Sequence, residues 1–245
     1  MSKKRSNKKQ QKIIFSVILA VIVVLAGWLG LDWDNISNEI TTSTTNSVTT
    51  ELSFSLEDIP DYSGSSYVVI NNNIPDFDEA DYTTTSFEKY SDLDNLGRCG
   101  VAYACIGQDI MPTEEREDLD YEPTGWVQER YDGEFLYNRC HLIGFQLAGE
   151  NDNEKNLMTG TRYLNIEGML DFENEVADYV TETNNHVLYR VTPIFEGNNL
   201  LANGVQMEAY SVEDHGEGIE FNVYCYNVQP NIELDYATGN SYEIN

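Results

Sequence analysis

Asn138 to Glu173 reads NRCHLIGFQLAGENDNEKNLMTGTRYLNIEGMLDFE, and the fold class turns on how its two ends behave. At the first end Arg139, Cys140 and His141 close an aromatic-flanked run with the length of a short strand. At the other end the period changes. Ile166, Met169, Leu170, Phe172, Val176, Tyr179 and Val180 recur at spacings of three and four, which predicts an amphipathic helix over Asn165–Thr183. Glu173 lies eight residues beyond Asn165, an advance of about 800° and so only about 80° past two full turns. That puts both on one helix face with Met169. Further out, Ser66–Asn71 (SYVVIN) and Val101–Ile106 (VAYACI) are short strand candidates, and Pro112–Gly125 is an acidic surface loop. His186–Phe195 (HVLYRVTPIF) alternates, Asn203-Gly204 marks a turn, and Ile219, Phe221, Val223 and Cys225 alternate again, as antiparallel strands do. Strands on either side of one helix make the class α+β.

A histidine at a strand end is, by itself, more often packed or on the surface than reactive. His141 has company: Asn156, Arg162, Asn165 and Glu173 follow within 32 residues, two amides and a carboxylate among hydrophobic helix positions. The segment resembles the DNA/RNA non-specific endonucleases of the ββα-metal fold. Their signature is Asp-Arg-Gly-His, then an Asn opening a helix, then a Glu further along it. This chain has Asn138-Arg139-Cys140-His141, Asn165 and Glu173, and the resemblance spans residues 95 to 240. Two positions depart from the pattern: Asn138 removes a negative charge, and Cys140 adds a side chain where glycine is usual.

The resemblance implies a ββα-metal nuclease core, with an antiparallel sheet and a central helix at the metal site. It implies hydrolysis of phosphodiester bonds in DNA and RNA with Mg²⁺, or Mn²⁺, as cofactor. His141 would be the general base, Asn165 the metal ligand, and Glu173 the holder of a metal-bound water. Arg98, just before the VAYA strand, is similar in place to an arginine that contacts the scissile phosphate. Asn156 corresponds to a polar residue supporting the substrate side of the site. Arg139 and Arg162 would bind phosphate or brace the loop, tasks that suit the planar fork of a guanidinium.

The chemistry asks for these residue types in any case. In-line attack of water on a phosphodiester needs a base for that water and positive charge for the transition state and leaving oxygen. An imidazole with an ordinary pKa of about 6.5 is mostly neutral near pH 7 and can accept a proton. An amide oxygen suits Mg²⁺, a hard cation that keeps several waters and also binds phosphate. His186 and His215 lack partners with ligand spacing and are expected to be structural or on the surface.

Charge sets a limit on this reading. Six of the 14 basic residues (Lys3, Lys4, Arg5, Lys8, Lys9, Lys12) precede the first apolar run, leaving eight against 42 acidic residues, a formal charge of −34. Such a domain cannot grip a polyanion through many Lys and Arg contacts, so sequence preference should be low and dependence on salt shallow.

The N-terminus reads as an export and anchoring element. Residues 1–12 are basic, and residues 13–31 (IIFSVILAVIVVLAGWLGL) carry no charge over the length a transmembrane helix needs. The basic flank orients this single pass with the C-terminal domain extracellular. A cleaved signal peptide, leaving a secreted domain, is the alternative. Residues 32–58 form a Ser/Thr-rich linker, and residues 59–245 form the nuclease domain. Cys99, Cys105, Cys140 and Cys225 allow three pairings in an exported domain, and a Cys99–Cys140 bridge would tie the two site strands together. The alternative function is a catalytically degenerate nuclease fold serving as a surface binding module, which plasmid digestion with and without Mg²⁺ would distinguish.

Overall fold

The structure, a computed structural model, describes residues 59–244. The basic segment, the apolar run at 13–31 and the linker lie outside the described residues. Among the described residues no helix is long and apolar enough to cross a membrane.

The framework is a six-stranded antiparallel sheet. Its strands are β1 (Tyr67–Val69), β2 (Phe87–Tyr90), β3 (Ala102–Ile106), β8 (Val187–Ile194), β9 (Gly204–Ser211) and β10 (Glu220–Tyr226), in the order β1-β10-β9-β8-β3-β2. Three small antiparallel pairs stand apart from it. They are the hairpin of β4 (Arg130–Tyr131) and β5 (Glu134–Phe135), the pair of β6 (Tyr137–His141) and β7 (Leu157–Thr161), and the pair of β11 (Ile232–Leu234) and β12 (Ser241–Glu243). A short helix α1 (Phe145–Ala148) lies between β6 and β7, and α2 (Leu170–Thr183) follows β7. The α+β expectation therefore stands, with β6, β7 and α2 forming a ββα unit in chain order.

Alternation along the strands sorts two different faces. Ala104 on β3, Tyr189 and Val191 on β8, Val205 and Met207 on β9, and Val223 on β10 belong to one core with Val176, Ala177 and Val180 of α2. Each fully buried aliphatic side chain there contributes roughly 1.5–3 kcal/mol, so a charge introduced at Val176 would unseat the helix. The other face carries Arg190, Gln206, Glu208 and Asn222 in register. Alternation ordinarily means one face in water, yet all eight residues of β8 are buried. The reason is a covering strap: residues 70–77 cross this face, with Asp76 N donating to Glu208 Oε1 (2.8 Å) and Asn222 Nδ2 donating to Ile74 O (2.8 Å).

Three further expectations are corrected. The turn expected at Asn203-Gly204 lies earlier: Gly204 already opens β9 opposite Ile194, and the chain between the strands is residues 195–203. The helix predicted from Asn165 begins earlier, at Arg162, and passes through a π-helical turn over Leu164–Met169 before continuing as α-helix from Leu170. It stops at Asn184, whose left-handed backbone (φ 58°) lets its N–H bond Val180 O, an end that Asn tolerates well. The four cysteines are free and buried, so no Cys99–Cys140 bridge forms. Cys140 instead packs across Gly160 on β7, where an added Cβ would lie 2.4 Å from its Sγ. A missing side chain on one strand thus makes room for the extra one on the other.

Candidate active site

β6 ends at His141 in the wall of a cavity of about 970 Å³, which Asn138, Arg139, Gly144, Asn165, Glu173 and Arg116 also line. Strand geometry puts Arg139 and His141, two residues apart, on the same side of β6. The chain after His141 is held by Asn156, a fully buried amide: its Oδ1 accepts from Ile143 N (2.9 Å) and its Nδ2 donates to Ile143 O (3.0 Å). Leu142 N also donates to Asn156 O (2.9 Å). Asn156 therefore fixes the loop that carries the histidine, and its buried amide is committed there and not to substrate.

Glu173 reaches the same loop because residue 144 is glycine. A Cβ at Gly144 would stand 2.7 Å from Glu173 Oε2, closer than any side chain permits. The π turn assists from the other side. A π turn holds more residues than an α turn, so it rotates less than 100° per residue and takes up part of the 80° by which a pure α-helix would overshoot from Asn165 to Glu173.

Electrostatics separate the two titratable groups. Partial burial of Glu173 pushes its carboxyl up to about 7, against the opposing pull of Arg116 and of Gln146. His141 moves down from 6.5, first because burial disfavours the imidazolium and second because Arg116 repels it, while the Asn151 carbonyl and Asp152 pull the other way. Its Nε2 lies 2.7 Å from Asn151 O.

Arg116 is the residue that sequence reasoning missed. It sits in the 112–125 loop among Glu114, Glu115, Glu117 and Asp118, and has no ion pair or hydrogen bond among the described residues. The loop is drawn over the cavity by hydrogen bonds from Asp120 N and Tyr121 N to the Asp152 carboxylate (3.2 Å each) and from Arg139 Nε to Tyr121 O. Arg139 also lies over the Trp126 ring at 4.6 Å, so it braces that wall.

Arg98 is placed elsewhere. Its guanidinium pairs with Asp94 at 2.7 Å, donates to Gly197 O and Asn199 O, and rests on Phe195, leaving it outside the cavity. Proximity to the VAYA strand brought it to attention, but it follows the turn that precedes that strand, and its guanidinium reaches the 195–203 connection. Arg162 is exposed near Glu134 (3.8 Å), on the rim and not within the cavity. His186 bonds Glu213 at 2.7 Å, a structural use.

The chain resembles known nucleases in sequence and in fold. A family model described as DNA/RNA non-specific endonuclease matches residues 79–213. Structures of NucA from Streptococcus agalactiae, one with no metal bound and one with a magnesium ion, resemble the fold with a TM-score of 0.67 at 26% identity. The metal-free one covers 77% of this chain and 92% of its own. Sda1 nuclease, solved with a bound zinc ion, shares the fold at a TM-score of 0.61 and 24% identity, over 78% of this chain and 99% of its own.

Proposed function

The chain belongs to the DNA/RNA non-specific endonuclease family, and from that premise we propose that it cleaves phosphodiester bonds in DNA and RNA with His141 as general base and a hydrated divalent cation on Asn165. One observation carries the assignment of the base. A carbonyl oxygen can only accept, so the 2.7 Å bond to Asn151 O keeps the proton of the neutral imidazole on Nε2 and leaves Nδ1 with a free lone pair. The lowered pKa keeps the ring in that neutral form at pH 7.

In the reaction His141 Nδ1 takes the proton of the attacking water. A new bond forms from that oxygen to phosphorus as the bond to the leaving sugar oxygen breaks. Arg116, unpaired in the cavity, meets the charge on the non-bridging oxygens. A divalent cation, when bound, supplies positive charge to the phosphate and the leaving oxygen.

The donors suit a hard, hydrated ion. Asn165 offers one neutral oxygen, and Glu173, on the same helix, can hold a water of the ion's shell. Among the described residues no group of three His, Cys, Asp or Glu could hold a metal, which argues against a zinc site closed by protein ligands. The magnesium-bound NucA structure supports Mg²⁺. The test is plasmid and RNA digestion by residues 59–245: EDTA should abolish cleavage, Mg²⁺ or Mn²⁺ should restore it, and Asn165→Ala should raise the metal concentration required. Undiminished cleavage in chelator would rule the cation out.

The same proposal has residues 13–31 holding the domain on the outer side of the membrane. External protease should then release the domain from intact cells, and full-length protein found free in the medium would contradict the anchor.

A further inference from the structure

Basic residues are scarce in this domain, and the structure distributes them unevenly. Of the eight beyond residue 58, Arg98, Lys155 and Arg190 are held by Asp94, Asp92 and Glu208, and Lys89 lies over Phe87. The other four are Arg116 and Arg139 at the catalytic cavity and Arg130 and Arg162 at the β4–β5 hairpin on its rim.

The hairpin is preorganised. Asp132 and Gly133 take positive φ (52° and 86°), the requirement of a tight two-residue turn. Leu136 N donates to Glu129 O (3.0 Å), and Arg162 N donates to Leu136 O (2.8 Å), which ties the hairpin to the end of β7. At its open end, opposite Arg130, Phe135 is 48% exposed, yet it borders the catalytic cavity. The Arg130 guanidinium lies 3.6 Å from the Phe135 ring centroid and is steadied by its Nη1 bond to Gly133 O (2.7 Å). Leu136 and Tyr137 next along the chain are buried and pack with Trp126 and Tyr131, so the apolar anchoring of this segment does not depend on Phe135.

We propose that Phe135 and Arg130 form a stacking platform for the base of a nucleotide flanking the scissile phosphate, with Arg162 meeting the adjoining phosphate. The proposal rests on the nuclease reading above. Aromatic rings and guanidinium planes stack on any base, because every base has a π face, so such a platform adds affinity without adding sequence preference. It also explains how a chain this acidic holds a polyanion: part of the grip comes from ring surface, which needs no positive charge.

The test is steady-state cleavage of a single-stranded oligonucleotide with one cleavable linkage, by wild type, Phe135→Ala, Phe135→Leu and Phe135→Tyr, with thermal melting as a check on folding. KM should rise about tenfold in the Ala and Leu variants, with a smaller change in kcat, and stay near wild type in the Tyr variant. A substrate made abasic beside the cleavable linkage should weaken the wild type by the same factor and Phe135→Ala no further. Equal KM across the variants, or an abasic loss that adds in full to the Phe135→Ala loss, would overturn the platform while the nuclease reading stands. No cleavage by the wild type would overturn both.

Discussion

The two faces of the six-stranded sheet handle charge in opposite ways. Under the strap, Arg190 and Glu208 are buried and committed to each other at 2.7 Å. Asp76 N donates to Glu208, Asp76 O accepts from Arg190, and the Phe77 ring lies 4.8 Å from the guanidinium. On the side of β6, β7 and α2, His141 is buried and Glu173 partly so, but neither has an ion-pair partner among the described residues. Burial without pairing disfavours the charged form, which holds the imidazole below its ordinary value and lifts the carboxyl to about 7. Where charge serves the architecture it is satisfied. At His141 and Glu173, which face the cavity, it is left without an ion-pair partner.

That contrast can be broken at three points. If His141 is the base proposed above, His141→Ala should lower turnover per folded molecule by about a hundredfold to ten-thousandfold, a loss separable from the modest drop in melting temperature expected for truncating a buried, hydrogen-bonded ring. Turnover near that of the wild type would remove His141 from the chemistry. On the other face, Glu208→Ala leaves a buried guanidinium unpaired and should cost about 3–5 kcal/mol in urea unfolding, with activity per folded molecule retained. A loss under about 1 kcal/mol would show that the pair contributes little to the fold.

The smallest effect concerns Glu173. Its folded pKa is raised from 4.5 to about 7, so between those values the folded state keeps a proton that the unfolded state releases. Stability of the metal-free protein should therefore be greatest below pH 4.5 as far as this group is concerned, and decline as pH rises toward 7. Because the cavity opens to water, the decline should be about 1–2 kcal/mol, less than a pKa shift of this size implies at 1.36 kcal/mol per unit. Glu173→Gln should abolish that slope and be the more stable protein at pH 8. Parallel pH profiles for the two would place the carboxyl at its ordinary value.

Much of the site was legible because it depends on local periodicity. A strand ending at His141 and a helix opening near Asn165 follow from spacing, and Glu173 falls on the right face even before the π turn improves the alignment. Arg116 was not legible: PTEEREDLDYE has no period, and the loop reaches the cavity through Asp152 and Arg139, partners that only the folded chain supplies. Arg98 shows the reverse failure, since adjacency to a strand says nothing of which way a guanidinium turns. The full burial of β8 was hidden for a related reason. Its polar positions match a half-exposed strand, and only the distant segment at 70–77 converts that face into an interior.

The strap has a consequence for the order in which the molecule is assembled. Tyr67 lies opposite Cys225, and Ser66 O accepts from Tyr226 N, so β1 can be seated only after nearly the whole domain has left the ribosome. The β6–β7 pair and α2, by contrast, lie close together in the chain and can form early. The half that bears the candidate site is thus the part able to take shape locally, while dehydration of Arg190 and Glu208 waits for residues 70–77 to dock. A chain truncated before β10 would therefore leave its polar sheet face open to water, and folding would close from the middle outward, with the earliest-made segment the last to be placed.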